Sequence, residues 1–175
     1  MLLCGGTVAL LCFAASLLHE CGHLLFLSLY DADFSMISFG AGGVVIERRD
    51  DCFCGFLPEC MIALGGIFMN LLLCAVCGGV YCVNRSQVCG VLCVVNGVIA
   101  AVNLLPVRSL DCSRFFELLL FRFGCERTEP ILKRVSLCTV CLFTLGCVCL
   151  FCCGFGNPSL AAVCVYMILL HWKTE

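Results

Sequence analysis

Residues 2–29 are apolar almost without interruption, yet His19, Glu20 and His23 stand inside that run. As a helix, about 28 residues would rise about 42 Å. The hydrocarbon core of a bilayer is only about 30 Å thick, so such a helix must tilt or project at one end. The run has no basic leader and is far too long for the apolar centre of a signal peptide. Four more apolar stretches follow at residues 56–83, 88–105, 135–155 and 160–172, the last two separated by a turn at Gly154, Gly156, Asn157 and Pro158. The pattern predicts an all-α polytopic membrane protein with about five transmembrane helices. Composition agrees. Apolar residues make up 62% and charged residues 13%, where soluble domains have roughly 45–50% and about 25%.

Charge narrows the partners. A net charge of -2 with no dense basic tract offers nothing to track a phosphate backbone, so no nucleic-acid partner is expected. Lipid is the expected surrounding. With five spans and the N-terminus outside, the cytoplasmic side carries Arg48, Arg49, Arg108, Arg114, Arg122, Arg127, Lys133, Arg134 and Lys173, and the outer side only Arg85. The excess of basic residues inside favours this orientation, with the C-terminus cytoplasmic. His171, beside Trp172 and Lys173, reads as an interfacial anchor. Most of the 20 cysteines fall in apolar runs, as Cys147, Cys149, Cys152 and Cys153 do, and read as small hydrophobes. Cys138 and Cys141 form a CxxC with no second pair at zinc-ribbon spacing in a soluble loop.

Between the first two spans, residues 35–47 alternate and carry Ile37, Val44, Val45 and Ile46, with Gly40, Gly42 and Gly43 between. This predicts a short membrane-associated β-hairpin. After the third span, Phe115, Phe116, Leu119, Leu120 and Phe123 recur at helical spacing among Arg114, Glu117 and Arg122, which predicts an interfacial amphipathic helix at about 112–124. Two parts are expected: a core over 1–130 and a C-terminal pair of transmembrane helices over 131–175.

Ionisable groups at membrane depth are costly and mark function. His19-Glu20-Cys21-Gly22-His23 is an HExxH motif. Its histidines, four apart, share one helical face and can hold one Zn2+. Glu20 lies beside them, able to reach a water that the metal has made acidic. Leu17, Leu18, Leu24, Leu25, Phe26 and Leu27 flank the motif, so no solvated helix face accounts for it. A catalytic zinc wants a third protein ligand and an open position. Asp111, just beyond Pro106 at the end of the third span, is the candidate. On spacing alone it is equally an interfacial acid beside Arg108 and Arg114.

These residues resemble the site-2 protease family of intramembrane zinc metalloproteases. His19, Glu20 and His23 match that family's first element. Asn103, Pro106 and Asp111 match its N-x-x-P-x-x-x-x-D element at the right spacing. Leu64-Gly65-Gly66-Ile67-Phe68-Met69-Asn70 is similar to its A-G-P-x-x-N stretch through Gly66 and Asn70. Cys112 and Ser113 stand where the family usually has glycines, and Ile67 where it has proline. The likeness covers residues 10–123. The resemblance implies an endopeptidase with one zinc held by His19, His23 and Asp111, with Glu20 as general base. Asn103 and Pro106 would shape the site. Asn70 and Asn96 face inward, either to bind substrate or to hydrogen-bond between helices. The substrate would be a membrane-spanning or membrane-associated protein, such as the sigma-factor precursors of the sporulation-type branch. The cell would be prokaryotic, with the site open to the cytoplasm. A catalytically inactive member that holds membrane partners, or a metal transporter using the same residues, are the alternatives.

Overall fold

The computed structural model describes residues 5–30, 34–40, 43–48, 55–108, 110–125, 127–155, 163–166 and 168–169. The chain divides into two compact units, residues 1–104 and 105–175.

In the first unit, α1 (Gly5–Leu29), α2 (Phe56–Asn84) and α3 (Gln87–Asn103) pack together. Between α1 and α2, β1 (Phe34–Gly40) pairs antiparallel with β2 (Gly43–Arg48), from Phe34 opposite Arg48 to Gly40 opposite Gly43. β2 also approaches α1. Pro58 falls in the first turn of α2, where a missing N–H leaves no intrahelical bond unmade. α2 and α3 meet through a tight connection. Arg85 takes a left-handed conformation (φ 51°) and donates its backbone N–H to the Tyr81 carbonyl at 2.9 Å. The core of this unit lies along α1 and α2, where Leu27 and Ile62 are buried with Phe26 and Tyr30 packed on them.

The second unit opens with the non-helical segment around Pro106. Backbone bonds run from Val107 N–H to Leu105 O and from Leu110 N–H to Val107 O, both at 2.8 Å. α4 (Asp111–Arg122) and α5 (Thr128–Leu150) follow, and α5 passes into a π-helical turn, Phe151–Phe155. α4 ends in a Schellman motif: the Cys125 N–H bonds Leu120 O at 3.1 Å and the Gly124 N–H bonds Phe121 O at 3.0 Å, with Gly124 at φ 73°. Leu137, Leu142, Leu145, Val148 and Phe151 leave α5 with a largely exposed apolar surface. Water would not tolerate so long an apolar face.

Five spans are expected from hydropathy. Among the described residues, three helices are long and apolar enough to cross a membrane: Gly5–Leu29, Phe56–Asn84 and Thr128–Cys153. α3 has only 17 residues, about 25 Å of rise, and stops three residues before Pro106, which the preceding backbone cannot enter as helix. The fifth stretch, 160–172, lies mostly outside the described residues, with helix at 163–166 and 168–169. His171 also lies outside them.

Candidate metal centre

α1 and α2 cross where neither has a side chain. A Cβ on Gly22 would stand 2.5 Å from the Gly65 carbonyl oxygen, and one on Gly65 would stand 2.8 Å from the Gly22 oxygen. The two backbones therefore touch, and the face of α1 carrying His19 and His23 is pressed onto the next residue of α2, Gly66. A Cβ there would lie 2.5 Å from His23 Nε2 and 2.6 Å from His19 Nε2. Both Nε2 atoms thus converge above one glycine, in a space that any side chain would fill. The two rings stand edge to face, with centroids 5.0 Å apart and planes at 83°.

The opposite ring nitrogens are held. His23 Nδ1 lies 2.8 Å from the Ile62 carbonyl. Only an N–H can bond there, so His23 carries a proton on Nδ1 and, when neutral, leaves the Nε2 lone pair toward Gly66. His19 is buried, and its Nδ1 lies 3.0 Å from Nδ2 of Asn70. In this amide orientation the ring nitrogen accepts. Asn70 Oδ1 is then left buried with no hydrogen-bond partner among the described residues. A half-turn of the amide would let Oδ1 accept from Nδ1–H and free the Nε2 lone pair, as a metal requires. A carbonyl and an amide in these places are the outer partners that fix a ligand histidine's tautomer. Two imidazole Nε2 atoms brought together over Gly66 fit a divalent cation that takes imidazole nitrogen.

Glu20 follows His19 on α1 and is half-buried, about 100° further round the helix. Asn96 is buried and spends its Nδ2 on the Leu92 carbonyl of its own helix at 2.8 Å, with Oδ1 unpartnered among the described residues. Asn103 is half-buried and donates to Ile99 O at 3.1 Å, again within α3. These two amides thus bond within their own helix, whereas Asn70 bonds across to α1.

In the second unit, Asp111 is the first residue of α4, where the positive end of the helix dipole favours a carboxylate. The segment before it is fastened to α5. The Arg108 N–H donates to Ser136 Oγ at 3.3 Å, and the Arg108 guanidinium meets Glu129 at 2.6 Å. Ser113 Oγ lies 2.9 Å from Arg108 O and 2.8 Å from Leu110 O. The Ser113 hydroxyl therefore ties the turn that leads into Asp111. Pro106 is half-buried in that segment. Burial first, and then the Asp111 carboxylate, push the Cys112 thiol up from its ordinary value.

The sequence pattern does not single out Glu59, which is buried in the first turn of α2, where the helix dipole favours a carboxylate. Its place three residues after the helix start was the available signal.

No protein-family model matches the sequence, and no curated protein matches it.

Proposed function

We propose that this chain is a zinc-dependent intramembrane endopeptidase. The observation that carries the reading is the convergence of the two Nε2 atoms on Gly66, inside helices apolar enough to cross a bilayer. Asp111 is proposed as third ligand. In support, Asp111 opens α4 just beyond Pro106, in the element that the resemblance aligns with the third-ligand position. Two imidazoles and a carboxylate suit zinc and leave a fourth position open. The resemblance to site-2 proteases points the same way through the same residues.

Zinc, when bound, would acidify a water and polarise the scissile carbonyl. The chain's own residues do the rest. Glu20 takes the proton of the attacking water and hands it to the departing amide nitrogen. Asn70 and the Ile62 carbonyl hold the rings so that their lone pairs stay aimed. Asn103 and Pro106 shape the approach to Asp111. The substrate is a membrane-spanning or membrane-associated protein, reached from the cytoplasmic side with the N-terminus of this chain outside.

The test uses the full chain in detergent. Elemental analysis should find about one zinc per chain, lost in His19→Ala and His23→Ala. Glu20→Gln should keep the metal and lose cleavage of co-expressed single-span proteins, since only the base is removed. Cleavage undiminished in Glu20→Gln would overturn the role of Glu20, and wild-type protein without zinc would overturn the reading itself. Zinc bound with no cleavage of any membrane protein would favour an inactive scaffold.

A further inference from the structure

One turn beyond Asn70, α2 meets α3 through a reciprocal pattern. Cys74 and Gly78 lie four apart on α2, and Cys93 and Gly97 lie four apart on α3. A Cβ on Gly97 would stand 3.4 Å from Cys74 Sγ, and one on Gly78 would stand 3.2 Å from Cys93 Sγ. Each thiol therefore sits over a glycine of the facing helix. Between the two glycines the thiols meet, Sγ to Sγ at 3.6 Å. Both cysteines are half-buried, so each keeps some accessible surface. Cysteine as a mere small hydrophobe requires no such meeting. Two antiparallel helices that each supply a thiol and the gap for the other's thiol bring the sulfurs together.

We infer that Cys74 and Cys93 form a two-thiol redox site, oxidised by hydroperoxides to a disulfide that locks α2 to α3. The chemistry balances with hydrogen peroxide as oxidant. One cysteine sulfur attacks a peroxide oxygen; an S–O bond forms and the O–O bond breaks. The thiol proton leaves with the departing hydroxide as the first water. The second sulfur then attacks the sulfenic sulfur; the S–S bond forms, the S–O bond breaks, and the second thiol proton leaves in a second water. The two sulfurs lose two electrons, and the peroxide gains them. The sulfurs need to close from 3.6 Å to about 2.05 Å, and the facing glycines leave the helices free to follow. The lock falls on the two helices that carry Asn70 and Asn96, and it stands whether or not the histidine pair holds a metal.

The experiment oxidises the reduced full chain in detergent with hydrogen peroxide, caps remaining thiols with N-ethylmaleimide, and maps linked peptides by mass spectrometry in the monomer fraction. The Cys74–Cys93 peptide should exceed every other pairing of Cys74 by about tenfold, because access selects which sulfur is attacked. In Cys93→Ser, Cys74 should stop at the sulfenic acid and be captured by dimedone. Equal pairing of Cys74 with several cysteines would overturn the inference, and so would full capping of Cys74 and Cys93 after other cysteines have oxidised. The wild-type map decides alone if the variant does not fold.

Discussion

α2 is approached closely at two places, and the two approaches differ in what they assemble. Near Gly65 and Gly66 it receives α1, and glycine contact brings two imidazoles together. Near Gly78 it receives α3, and glycine contact brings two thiols together. The steric device is the same, yet the chemistry is not. At the first crossing each ring is restrained from behind, by the Ile62 carbonyl and by Asn70. Nitrogens held this way keep a fixed aim, which a cation needs. At the second crossing the sulfurs touch each other. Atoms in mutual contact suit a bond between themselves rather than an ion between them.

The largest expected effect separates the two crossings. Gly66→Ala places a methyl 2.5 Å from His23 Nε2, so bound zinc measured by elemental analysis should fall from about one per chain to near none. Gly78→Ala should leave zinc untouched while slowing formation of the Cys74–Cys93 link. Equal zinc loss in both would erase the distinction. Next, Gly22→Ala drives a methyl into backbone rather than into a flexible side chain. It should destabilise the fold by about 1–3 kcal/mol, the usual cost of overpacking, read from the unfolding midpoint in mixed micelles. Asn70→Ala removes the outer partner of His19 and should weaken zinc about 10–100-fold by competition with a chromophoric chelator, while Asn96→Ala, whose amide bonds its own helix, should not. Smallest, Glu129→Gln breaks an ion pair whose acid is 72% exposed. Solvent screening keeps its effect on stability at or below about 0.5 kcal/mol, so a larger loss would show that the turn before Asp111 depends on it.

Much of the first crossing is legible in the sequence. Histidines four apart in an apolar helix declare a shared face, and Gly66 and Asn70 sit in the segment singled out by resemblance. What spacing could not show is that Gly22, inside the motif, is the contact with Gly65 that seats the rings. The second crossing stayed hidden for a physical reason. Cys74-x-x-x-Gly78 and Cys93-x-x-x-Gly97 mean little until α2 and α3 are known to run antiparallel about a turn at Arg85. Hydropathy marks an apolar run at 88–105 but not where its helix stops, and α3 ends at Asn103, three residues before Pro106. It also says nothing about hydroxyls such as Ser113 and Ser136, whose hydrogen bonds fasten the turn before Asp111.

The tip of the α2–α3 pair reaches further than its size suggests. The Arg85 guanidinium lies 5.8 Å from the centre of the Tyr81 ring, and a Cβ on Gly90 would touch that same ring at 3.0 Å. The phenol ring thus stands between a cation and the bare backbone at Gly90, which marks the rotational phase of α3 about its own axis. Cys93, Gly97 and Ala100 follow Gly90 at steps of three or four residues, so they inherit that phase. Turning α3 by one residue would carry Cys93 and Gly97 away from Gly78 and Cys74 together, so the face left bare for an aromatic ring at the turn is the face on which the sulfurs meet.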